Sequence, residues 1–164
     1  MKRAFVWMAA LGILLAGLGS PVSAQEAKPA SGVKADILWQ IEDAEKKLVA
    51  LAEATPAEKF AWRPAEGIRS VGEVYMHVAG ANYFFPTFWG GKIPEGLNPR
   101  EFEKQGADKA KVVDTLKKSF DHVRSFINAM PESDLDKQIN LFGNQAAGRR
   151  GLLIVATHAH EHLG

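Results

Sequence analysis

Near its end the chain reads Thr157-His158-Ala159-His160-Glu161-His162, and a further histidine, His77, lies far upstream. Imidazole is the commonest metal ligand among side chains, and it is neutral at the pH where binding needs a free lone pair. On a helix, positions 158 and 162 stack one above the other, one turn apart, and can chelate a single ion. At ~100° per residue His160 points roughly 200° away from His158, so it belongs to another face. His77 falls with Val74, Val78, Ala81 and Phe85 on the inner face of a second helical stretch. Three neutral imidazoles from two helices can hold a divalent ion and leave a coordination position open for water or substrate. The bland reading stays open beside this one: an H-x-x-x-H pair is a weak signal, and such a tract can be a loose surface chelator or packed and solvated histidines.

Several neighbouring possibilities narrow the chemistry. The chain has no cysteine, which excludes thiolate nucleophiles, disulfides and Cys-type zinc sites, so any metal must be held by His, Asp or Glu. Glu161 stands three residues after His158 rather than directly behind it, so this is not the H-E-x-x-H protease pattern. Glu73 could accept a hydrogen bond from His77, but Ser70-Val71-Gly72-Glu73 is a capping box and the cap accounts for it. His122, among charged neighbours, reads as solvated surface. Trp39, Trp62, Phe84, Phe85, Phe88 and Trp89 read as core rather than pocket wall, and Arg149-Arg150 as a solvated basic pair. No residue stands out as a general base.

The elements that must position these groups follow from hydrophobic spacing. Ile37, Leu38, Ile41, Leu48 and Leu51 recur at helical intervals over residues 35–54. The capping box opens a second helix over 71–85, stopped by Pro86. Residues 86–107 hold three prolines and four glycines, a segment long enough to travel the length of a helical domain. Asp108 caps a third helix to Met130, with Val112, Val113, Leu116, Phe120, Val123 and Phe126 as its apolar stripe. A polar link runs through Asn144, and a fourth helix covers 151–164. No strand pattern of convincing length is present. The prediction is an all-α fold, a four-helix bundle with a long crossover that lets helices two and three run parallel.

The 164 residues fit one domain, and 20 Lys+Arg against 19 Asp+Glu give no basic field for nucleic acid. Residues 1–24 place Lys2 and Arg3 before an apolar run and end in Val22-Ser23-Ala24, the order of a secretory signal cleaved after Ala24. Residues 25–34 read as a flexible leader and 35–164 as the domain. The mature chain is then periplasmic or secreted, without a stable membrane anchor after cleavage.

Trp62-Arg63-Pro64, then Arg69-Ser70-Val71-Gly72-Glu73 leading to His77, and finally His158-x-x-x-His162-Leu163-Gly164, resemble the DinB-like superfamily. That superfamily includes YfiT-type metal hydrolases and bacterial low-molecular-weight-thiol transferases. The resemblance extends from about Ala35 to Gly164. It implies the same bundle and crossover and a divalent metal held by His77, His158 and His162. Zinc or nickel is usual in such sites, and the ligand chemistry also admits iron or manganese. Family members generally continue past the last histidine with a Gly-Gln pair and more helix, whereas this sequence stops at Gly164. His162 is therefore expected in a fraying last turn, with weaker metal affinity and lower stability than a longer relative, and with apolar surface that a homodimer would cover. Two functions follow: a metal-dependent hydrolase or thiol S-transferase acting on a small molecule, or a non-catalytic periplasmic metal- or ligand-binding protein. Export sets the chain apart from relatives that act on cytosolic thiols.

Overall fold

The structure, a computed structural model, describes residues 31–164; the expected signal segment 1–24 and most of the 25–34 leader lie outside the described residues. Among the described residues there are four α-helices: α1 (Val33–Ala54), α2 (Val71–Phe84), α3 (Lys109–Ala129) and α4 (Gly148–Glu161). A two-stranded antiparallel sheet, β1 (Gln138–Leu141) with β2 (Asn144–Ala147), precedes α4. No described helix is long and apolar enough to cross a membrane.

Helix directions can be read from contacts between named residues. Lys34, at the start of α1, donates to the Met130 carbonyl just past α3, while Lys109, at the start of α3, donates to the Glu53 and Thr55 carbonyls at the end of α1. These two helices are antiparallel. Along α2, Gly72 faces Gly106, which precedes α3, and Asn82 donates to Ser119 within α3, so α2 and α3 run the same way. The 24-residue connection between Phe84 and Lys109 makes that possible by crossing the length of the domain. Ile41, Leu48, Met76, Phe120, Ile127 and Leu152 meet in one core contributed by all four helices.

Three expectations need correction. The link after α3 is not merely polar: Ile139 and Leu141 are buried and alternate with exposed Gln138 and Asn140 in β1. Two apolar positions in four residues are too short a pattern to distinguish from a loop. The α-helical course of α2 ends at Phe84, ahead of Pro86 as expected, and Pro86 itself occupies the first turn of a 3₁₀ segment, Phe85–Trp89, where its missing N–H is not needed. Leu51, assigned to the inner stripe of α1, is exposed. Finally, α4 starts three residues earlier than expected, at Gly148, directly from β2.

Close approach explains why one glycine stands where it does. A Cβ on Gly72 would lie 1.7 Å from the Gly106 carbonyl oxygen, so only glycine lets the end of the crossover seat on the first turn of α2. That seating brings the preceding 3₁₀ segment, Glu103–Gln105, alongside α2.

Candidate metal centre

The start of α2 is set by the capping box. The Ser70 amide donates to Glu73 Oε2 at 2.7 Å, and the Glu73 amide donates to Ser70 Oγ at 3.3 Å. The second Glu73 oxygen accepts from Arg63 Nη2 at 2.8 Å, so both are engaged away from His77, as the cap reading requires. From this start His77 reaches the cleft between α2 and α4, where α4 presents His158 and, at its C-terminal cap, His162.

All three histidines come together. Ring centroids are 5.2 Å apart for His77 and His158, 5.0 Å for His77 and His162, and 4.7 Å for His158 and His162. One ligand nitrogen from each lies within 4.8 Å of the others. The Nε2 atoms of His77 and His158 are 3.2 Å apart. Two nitrogens bound at ~2.0–2.1 Å to one tetrahedral ion would sit roughly 3.3–3.4 Å apart, so this pair already has the spacing that an ion demands. The donor set therefore fits a divalent cation, with only a modest approach required of His162.

The protonation pattern agrees with that fit. His77 Nδ1 lies 3.0 Å from Glu103 Oε1, and Glu103 Oε2 accepts from Arg69 Nε at 2.9 Å. Burial acts to raise the Glu103 pKa, but hydrogen bonds from Arg69 and His77 outweigh it and hold the carboxyl below its ordinary range. An ionised carboxylate can only accept, so Nδ1 of His77 carries the proton and Nε2 offers a lone pair toward His158. Burial, helped by His162, His77 and Arg69, pushes the His158 pKa down to about 4. His162 is lowered as well, by burial first and then by His77 and Arg69. These two imidazoles are thus held in the neutral form that a metal requires.

Sequence reasoning missed Glu103. It lies in the Pro- and Gly-rich crossover, where no periodicity assigns a face, and reaches His77 only because Gly106 docks on Gly72. His160 donates to the Gln40 carbonyl at 3.1 Å and takes no part, as its angular position predicted. His122 is corrected: it is half-buried, its ring 4.9 Å from that of Tyr83, and its Nε2 is buried without a partner. The aromatic group divides. Phe85 and Trp89 are core, whereas Trp39 and Trp62 are exposed and Phe84 lies on a cleft wall. Arg149 pairs with Asp136 on the surface.

Two clefts open beside the triad. One, of about 940 Å³, is lined by His77 and His158 together with Phe84, Phe85, Leu97 and Phe142. The other, about 660 Å³, is lined by His162, Arg63, Arg69 and Lys104 together with Glu73 and Glu103. Residues 40–164 match the sequence model of the DinB superfamily. The chain belongs to that superfamily. The DinB region thus begins within α1 and contains α2, the crossover, the hairpin and every residue of the triad. No curated protein matches the chain. Within this DinB domain, three histidines could hold a metal ion, whatever the ion is.

Proposed function

We propose that this DinB-family protein binds one divalent cation through His77, His158 and His162 and uses it to act on a small molecule, as a hydrolase or thiol S-transferase. The observation that carries the reading is the 3.2 Å separation of the His77 and His158 Nε2 atoms, a distance suited to a shared ion. A bound divalent ion supplies Lewis acidity, which brings the pKa of a water or thiol toward ~7. The chain's own residues do the rest. Glu103, anchored by Arg69, fixes the His77 tautomer and ring orientation, and Phe85 packs edge-on against His158 at 5.2 Å. With neutral nitrogen donors, zinc or nickel is the preferred ion, and iron or manganese is compatible with the same set.

The wider reading places the site on a four-helix bundle whose long crossover carries Glu103, in a chain exported by residues 1–24 and released near Ala24 into the periplasm. N-terminal sequencing of protein recovered from the periplasmic fraction should begin near Gln25; a start at Met1 from the cytoplasm would overturn export. A second reading, metal or ligand binding without turnover, is favoured by one observation: Glu103, the carboxylate nearest His77, is already occupied by Arg69 and His77 and is not free as a base. Elemental analysis of the untagged chain tests the metal in both readings, and absence of bound metal removes the enzyme and the metal binder alike. A panel of thiols and small esters against the cobalt-substituted protein then separates them. Spectral change with turnover supports the enzyme; spectral change alone supports the binder.

A further inference from the structure

The tip of the β1–β2 hairpin has two features that folding does not explain. Phe142 has φ of 53°, the one positive value outside glycine among the described residues. There a Cβ crowds the following carbonyl, and Asn or Asp followed by Gly is the usual choice for such a turn. Phe142 is also 61% exposed, so burial in the core does not offset the strain. Its backbone is held in place by the next residue, whose amide donates to Asn140 Oδ1 at 2.7 Å. An Asn-Gly tip would close the same hairpin without strain and without exposing a ring.

What the conformation does achieve is placement. The ring meets Phe88 edge-on at 4.9 Å, and Phe142 lines the same cleft as His77 and His158. Phe84 and Leu97, at 39% and 40% exposure, line the same cleft. Its charged residues are Glu95, Arg100 and Glu103; Glu103 is neutralised by Arg69, and the other two have opposite signs. The cleft therefore offers a concave apolar wall with balanced charge, which selects a ligand body that is apolar and uncharged. Strain retained at an exposed apolar residue beside a candidate site is the pattern expected of a ligand contact.

We propose that Phe142 is a specificity-determining residue, and that the molecule taken by this site is a small organic compound with a neutral aromatic or branched alkyl body. That body lies against Phe142, Phe84 and Leu97, and the reacting group points to His77 and His158. The direction of the reacting end rests on the metal reading above; the apolar wall does not.

The test uses probes that separate the two. Metal-loaded protein is titrated with acetohydroxamate, which offers only a chelating group, and with 4-phenylbutanohydroxamate, which adds a ring. Wild type should bind the second about tenfold or more tightly than the first, the gain expected for burying a phenyl group. Phe142→Gly should leave acetohydroxamate affinity unchanged and cut the phenyl advantage to about threefold or less. On metal-free protein, the neutral dye N-phenyl-1-naphthylamine should fluoresce with wild type and lose most of that signal with Phe142→Gly. Failure of acetohydroxamate to bind wild type would remove the reading of an ion with an open coordination position, while the dye comparison still decides the role of Phe142. A full phenyl advantage or undiminished dye fluorescence in Phe142→Gly overturns the proposal. Thermal melting should show Phe142→Gly at or above wild type, and Phe142→Asn, which suits the same turn, should repeat the loss of apolar binding.

Discussion

His122 and His158 are instructive side by side. Both are half-buried on helices, each has one buried ring nitrogen with no partner, and in each the pKa is lowered chiefly by burial. Around His122 the neighbour is the Tyr83 ring. Around His158 stand two further imidazoles, one of them oriented by a carboxylate so that its bare nitrogen faces inward. A buried histidine with an orphaned atom is therefore not enough to mark a site. What marks one is the convergence of several lone pairs on a common point, which a lone side chain in hydrocarbon cannot supply.

The sharpest way to break this contrast is metal content. Wild type should carry about one equivalent per chain, and His77→Ala and His158→Ala should carry none by elemental analysis, whereas His122→Phe should keep the wild-type amount. Loss of metal in His122→Phe would erase the distinction. Next in size is linked stability: with free ion at 100 times Kd, chemical denaturation should show a gain of about 2.7 kcal/mol for wild type and His122→Phe, and no gain for His158→Ala.

The orienting carboxylate gives a finer test. Glu103→Gln should weaken metal binding by about 10- to 100-fold in a competition titration, with the helical circular dichroism signal unchanged. A Glu103→Gln protein with wild-type affinity would show that the tautomer of His77 needs no anchor.

The smallest effect concerns acid and the metal-free chain. Both histidines are harder to protonate in the fold than in the unfolded chain, so their contribution is complete above about pH 6.5 and declines as pH falls. For His158 the decline continues down to about pH 4, its folded value. Denaturant unfolding between pH 7.5 and 5 should therefore show falling stability, with a shallower fall in His158→Phe and a smaller change of slope in His122→Phe. An unchanged slope in both would mean that neither ring is desolvated.

Much of the site was legible before any coordinates. The i,i+4 spacing put His158 and His162 on one face and His160 on another, because a helix turns by a constant angle per residue. Ser70 and Glu73 announced the start of α2, and hence the face that carries His77, because a capping box is a local device. The hairpin was not legible, since two buried positions in β1 do not make a pattern. His122 was misread because charged neighbours in sequence say nothing of a ring on another helix.

The division has a physical cause. Helix starts, helical faces and the pairing of two histidines one turn apart depend on residues a few positions from one another, and the chain itself determined them. The partnership of Glu103 with His77, the exposure of Phe142 on the cleft wall and the 3.2 Å meeting of two imidazoles from α2 and α4 were decided only by the tertiary structure. Each depends on how the crossover seats on Gly72 and how α4 packs against α2, and such contacts between distant segments leave no period in the sequence.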